Sequence, residues 1–129
     1  MNDADIVADA SAVIALLVGE RFTRFDPLRL PNASISAVNL SEVLVRLQEI
    51  GLPEAEGDIV LARLNLRVIA FDKPQARATA RLRSATRHAG LSLADRACLA
   101  LGGILGCPVV TADRVWASVD VGVEVVVIR

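Results

Sequence analysis

Val109-Val-Thr-Ala-Asp-Arg114 begins as a β-branched run and ends at an acid that opens a helical turn. Val7-Ala-Asp-Ala-Ser11, near the other end of the chain, has the same shape. β-Branched residues fit a pleated strand, whereas an aspartate suits the free N–H groups of a helix start. Strands that hand over to helices, and do so repeatedly, imply an α/β domain with a central, mainly parallel sheet. Ligand sites in such sheets form beyond the carboxyl ends of the strands. Asp9 and Asp113 both fall at that edge.

Outward from these two frames the alternation continues. Asp5–Ala8 reads as the first strand and Ser11–Val18 as the helix after it. Arg21–Asn32, with Pro27 and Pro31, reads as a short helix followed by loop. Ala33–Ser36 is a brief strand. Val38–Ile50 is a helix, with Leu40, Val43, Leu44 and Leu47 at helical spacing and Gly51 to close it. Pro53 opens a helix to about Leu64, Leu66–Phe71 is a strand, and Pro74 starts a helix reaching about His88. Ser92–Leu105 is helical, Val109–Thr111 a strand, Arg114–Val119 one helical turn or two, and Glu124–Ile128 the last strand. No repeat, low-complexity tract or linker divides residues 1–129, so a single domain is expected.

Composition narrows the chemistry. The chain is 53 % hydrophobic and its mean hydropathy is +0.49, more apolar surface than a small monomer easily hides. A surplus of this kind implies a partner or a homodimer contact. With three Phe, one Trp and no Tyr, the core must be aliphatic and a base-stacking platform is disfavoured. The net charge of −1 argues against a general basic surface that grips nucleic acid indiscriminately. Lys73 is the only lysine, and arginine favours local bidentate contacts to phosphate or carboxylate. Cys98 and Cys107 lie in apolar surroundings with no CxxC, which reads as buried thiols in a reduced compartment. The N-terminus lacks a basic leader, and Ala97–Ala112 is too short and too glycine-rich to span a bilayer. A cytoplasmic protein is expected.

Four acids stand in short recognisable frames: Asp9 in VADAS, Glu42 in NLSEV, Asp95 in LSLADR and Asp113 in VVTADR. Each has an ordinary reading as a helix cap. Ser92 to Asp95 has capping-box spacing, and so has Asn39 to Glu42. Jointly, two acids at strand ends and two in first helical turns can point into one crevice. Carboxylates crowd together only where a cation relieves their repulsion. All-oxygen ligation selects Mg²⁺ or Mn²⁺, ions that activate water and stabilise the charge of a phosphodiester under attack. Ser11 and Thr111 are placed either to hydrogen-bond a ligand carboxylate or a metal-bound water, or to cap local backbone.

The four frames, in this order and from Val7 to Arg129, resemble the PIN-domain ribonucleases of the VapC toxin type. The most specific parts are Asp9-Ala-Ser11, Asn39-Leu-Ser-Glu42, Leu93-Ala-Asp95-Arg96, and Thr111-Ala-Asp113-Arg114 followed by Trp116. The resemblance implies a three-layer α/β/α fold and a Mg²⁺- or Mn²⁺-dependent endoribonuclease blocked by a VapB-type protein antitoxin. It assigns Asp9, Glu42, Asp95 and Asp113 to the catalytic, metal-holding positions and Thr111 to the hydroxyl beside the last acid. It also implies a homodimer, in keeping with the apolar surplus.

Arg96 and Arg114 directly follow two of the acids and are candidates for contacting substrate phosphate or a site carboxylate. Arg77, Arg81, Arg83 and Arg87 form two i,i+4 pairs, by default a solvated helix face, although they could guide RNA phosphates. Asn39 either contributes to the site or caps its helix. Trp116 reads as core packing in preference to base stacking, and His88 as a surface residue. Near-neutral charge favours one particular RNA, recognised by shape or at a loop. Two other functions compete. A catalytically silent PIN-like binding module has no need of four clustered acids. A phospho-receiver would carry Lys73-Pro74 after its last strand, whereas two more strands are expected here.

Overall fold

The β-branched runs that lead to Asp9 and Asp113 become strands of one sheet. The protein is described by a computed structural model covering residues 5–129; the leader reading rests partly on residues 1–4, outside the described residues. The strands are β1 (Val7–Ala8), β2 (Ser34–Ser36), β3 (Arg67–Ile69), β4 (Val109–Thr111) and β5 (Val125–Val127). They lie in the order β3-β2-β1-β4-β5, and every pairing is parallel. The helices are α1 (Ala10–Leu17), α2 (Ala37–Glu49), α3 (Glu54–Ala62), α4 (Lys73–Arg81), α5 (Arg83–Thr86) and α6 (Leu93–Leu105).

Strand alternation makes the three layers. Ile6, Ala8, Ile35 and Val110 join a buried cluster with Val13 of α1 and with Val43 and Leu47 of α2. Val7 and Val109 turn the other way, into a cluster with Cys98, Leu99 and Leu101 of α6 and with Trp116. Successive residues of a strand face opposite sides, so one short run supplies both cores. On the α6 side the approach is close: a Cβ on Gly102 would stand 2.4 Å from a Val109 methyl carbon, so only glycine fits there.

The sheet order contains the feature that positions the site. The chain steps outward from β1 to β2 and β3, then returns to lay β4 on the other flank of β1. β1 and β4 are therefore neighbours from which the connections diverge, and a crevice opens between their carboxyl ends. Asp9 follows β1 directly and Asp113 lies two residues beyond β4.

Element boundaries mostly fall within one or two residues of expectation, the usual fraying range. Three regions differ. The helix expected from Pro74 to His88 is broken into α4, α5 and a 3-10 turn, Arg87–Ala89. Thr79 and Thr86 hydroxyls donate back to the carbonyls of Gln75 and Leu82, both at 2.8 Å, a local bond that bends helices. Arg21–Asn32 forms only a 3-10 turn at Pro27–Arg29, capped by Asp26. Arg114–Ser118 is likewise 3-10. Among the described residues no helix is long and apolar enough to cross a membrane.

Candidate functional site

All four acids reach one place. Asp9, Glu42, Asp95 and Asp113 line a cavity of about 460 Å³ together with Ser11 and Arg46. It lies where the starts of α1 and α6 and the outer face of α2 meet the carboxyl ends of β1 and β4.

Asp9 occupies the N-cap position of α1, yet its side chain makes no cap bond. Its Oδ2 instead accepts from Ser11 Oγ at 2.5 Å and from Thr111 Oγ1 at 2.9 Å. The same hydroxyls accept from backbone: Ala112 N–H donates to Ser11 Oγ and Asp113 N–H to Thr111 Oγ1, at 2.9 and 3.1 Å. Both hydroxyls bond the Asp9 carboxylate, and Thr111 also caps local backbone, whereas the backbone partner of Ser11 lies 101 residues away. The pair ties the end of β1 to the end of β4, and both of its bonds to Asp9 go to Oδ2. Asp9 is almost completely buried, and burial raises its carboxyl to about 6. The two hydroxyls pull the other way, and the charges of Asp95 and Glu42 add to the rise.

Glu42 sits in the second turn of α2, not at its start, so the capping box that the Asn39–Glu42 spacing allowed is absent. Ser36 caps this helix, accepting from Val38 N–H. Asn39, fully buried, donates through Nδ2 to Glu42 Oε1 at 3.1 Å and to the Ala94 carbonyl at 3.0 Å. One amide thus holds a site acid and also pins α2 to the turn of α6 that presents Asp95. Burial raises the Glu42 carboxyl, Asn39 lowers it in part, and Asp95 raises it further. Asn39 Oδ1 is buried without a partner.

Asp95 and Asp113 are caps as well as wall. Asp95 closes a capping box with Ser92, both bonds being present at 3.0 and 3.1 Å. Asp113 accepts from Val115 N–H at 3.0 Å. Cys98, one turn beyond Asp95, is fully buried, and its thiol is pushed well above its usual range by burial and then by Asp9, Asp95 and Glu42.

Among the described residues, no three His, Cys, Asp or Glu side chains stand close enough to hold a metal ion as placed. The four acids share the walls of a pocket and not yet one coordination sphere. The donor chemistry nevertheless fits a hard divalent cation: oxygen ligands only, with buried Asp9 in no ion pair among the described residues.

The expected arginines are elsewhere. Arg96 Nη1 donates to the Thr79 carbonyl at 3.4 Å and its Nε is buried without a partner. Arg114 is exposed, and neither residue lines the pocket. Trp116 is fully buried in the core, which removes base stacking as its role. Arg46 and Glu49 do line the pocket, paired with each other at 3.3 Å. Sequence reading passed over both, although Arg46 follows Glu42 at i+4 and Glu49 at i+7, on the same helix face.

The profile of the PIN-domain family matches residues 6–122, most of the chain. No curated protein matches it in sequence. Solved structures share its fold at low identity. VapBC2 from Rickettsia felis, bound to a DNA fragment from its promoter, is 14 % identical with a TM-score of 0.71, covering 94 % of this chain and 96 % of that one. Mycobacterium tuberculosis VapC20, a sarcin-ricin loop cleaving toxin, is 19 % identical with a TM-score of 0.67, covering 92 % and 98 %. A toxin–antitoxin complex from Klebsiella pneumoniae is 20 % identical with a TM-score of 0.66, covering 88 % and 91 %. A parallel sheet with acids at its switch point defines the class. The chain belongs to the PIN-domain family, and its fold is that of VapC-type toxins.

Proposed function

We propose that this protein is a Mg²⁺- or Mn²⁺-dependent endoribonuclease, the toxin of a VapBC-type pair, acting as one PIN domain over residues 1–129. The observation that carries the reading is the meeting of Asp9, Glu42, Asp95 and Asp113 in one pocket at the switch between β1 and β4. Asp9, Asp95, Asp113 and Glu42 would hold the cation, which when bound activates water and offsets charge on the phosphodiester.

The chain's own groups prepare that site. Ser11 and Thr111 hold Asp9 Oδ2, as outer partners of a ligand carboxylate do. Asn39 sets Glu42 and the start of α6. Arg114, exposed and next to Asp113 in the chain, would contact substrate phosphate from outside the pocket. Arg96 needs to leave Thr79 to serve in that way.

A VapB-type antitoxin and an RNA substrate are the proposed partners, with a homodimer and a cytoplasmic location. Similar folds are seen in a toxin–antitoxin complex and in a sarcin-ricin loop cleaving toxin. Exposed Val18, Val45, Ile50 and Ile59 supply apolar surface for such contacts.

A second reading is a silent PIN scaffold, favoured by the spacing of the acids as placed. Purified protein is incubated with structured RNA and Mg²⁺ or Mn²⁺, beside Asp9→Asn and Asp95→Asn. Cleavage by the wild type and none by the variants supports the enzyme. Equal cleavage by all three, or none by the wild type, favours the scaffold.

A further inference from the structure

The cations of this chain are unevenly spread. Between Asp72 and Asp95 there is no carboxylate, while Lys73, Arg77, Arg81, Arg83 and Arg87 all fall in that interval. The flanking Asp72 is engaged in capping Gln75 N–H at 3.2 Å. Among the described residues none of the five cations is in an ion pair. A chain of net charge −1 thus holds a concentrated positive segment, and the remainder is correspondingly acidic. Such a field attracts a polyanion to one place and repels it elsewhere.

Lys73, Arg77 and Arg81 recur every four residues and share one face of α4. Successive members stand about 6 Å apart along the axis. All three are exposed, and with Pro74 they line a surface cavity of about 310 Å³. The opposite face is occupied: Gln75 and Thr79 are buried, and Arg96 of α6 donates to the Thr79 carbonyl. That bond comes from the residue after Asp95, so the stripe is fixed on the helix packed beside the acid pocket.

We infer that the Lys73–Arg77–Arg81 face of α4 binds the phosphodiester backbone of an RNA strand, outside the acid pocket. The inference rests on the ribonuclease reading for the identity of the polyanion. A pocket walled by four carboxylates repels a phosphate chain, so an RNA needs positive ground nearby. Guanidinium forks match phosphate oxygens. No aromatic residue lies in residues 73–94, so the face reads charge and not base.

The test is binding of a labelled single-stranded RNA to the full chain in EDTA, over a range of salt. Lys73→Ala/Arg77→Ala/Arg81→Ala should weaken binding about tenfold or more at low salt and reduce the slope of log affinity against log salt by about 2. Lys73→Arg/Arg77→Lys/Arg81→Lys should keep both. If the triple alanine variant fails to fold, Arg77→Ala alone should lower the slope by about 0.7. Unchanged affinity and slope in the alanine variants overturn the inference. So does equal competition by poly-glutamate, which would assign the face to an acidic protein segment. Binding is read without divalent ions, so it is separable from cleavage. RNA held through the stripe by a chain that never cleaves keeps this site and sinks the ribonuclease; cleavage with a dispensable stripe does the reverse.

Discussion

Asp9 and Glu42 differ from Asp95 and Asp113 in what their carboxylates bind. The second pair accept backbone N–H groups at their own helix starts. Among the described residues the first pair accept from side-chain donors: Ser11 and Thr111 for Asp9, Asn39 for Glu42. A cap is satisfied whether or not a ligand is present. Asp9 is buried beside other acids, and its carboxyl is lifted to about 6. The capping pair therefore has a structural use that outlives the site, whereas the other pair is costly to the empty fold.

The sharpest break in this comparison is catalytic. Both Asp9→Asn and Asp95→Asn should lower divalent-ion-dependent RNA cleavage by more than about 100-fold, since even outer partners of a metal site cost about 10–100-fold. Single-turnover rates against Mn²⁺ concentration would show it.

Stability should then separate the two. Asp9 binds its proton more tightly folded than unfolded, so its contribution is favourable below the unfolded value of 3.8 and is lost as pH rises through about 6. Asp9→Asn should accordingly stabilise the metal-free protein by up to about 3 kcal/mol at pH 8. The gain should vanish below about pH 4, where the wild type is protonated. Urea melts at both pH values test this, and equal gains at both would remove the electrostatic account. Mn²⁺ should raise the melting temperature of the wild type and not of Asp9→Asn.

Asn39→Ala should cost about 1–3 kcal/mol, because it removes buried bonds to the Ala94 carbonyl and to Glu42 and loosens α2 from α6. The smallest effect is expected at the other pair. Asp95→Asn should change metal-free stability by less than about 0.5 kcal/mol, since an asparagine side-chain oxygen can accept from Ser92 N–H in the same way. A large loss there would erase the distinction drawn between the pairs.

Much of this was legible in the residues. β-Branched runs ending at Asp9 and Asp113 announced strand-to-helix transitions, and Ser92-Leu-Ala-Asp95 announced a capping box that the structure contains. Asn39-Leu-Ser-Glu42 carried the same spacing and is no cap, because the helix starts earlier, at Ser36. Spacing gives the offset between two residues but not the register of the helix that holds them. Arg96 shows the same limit of local pattern: its sequence neighbour is Asp95, while its hydrogen-bond partner is a carbonyl of α4.

By itself, then, the sequence determined the alternation of strands and helices, the aliphatic core and the identity of the acids. These depend on periodicities of two and 3.6 residues that any short window displays. Tertiary structure alone decided that β4 returns to the side of β1, which brings Thr111 within 2.9 Å of Asp9. It also decided which acids are caps, which are buried among hydroxyls, and that Arg46 shares their pocket. Those facts join residues far apart in the chain, where local pattern has no reach and only the packing of the sheet brings them together.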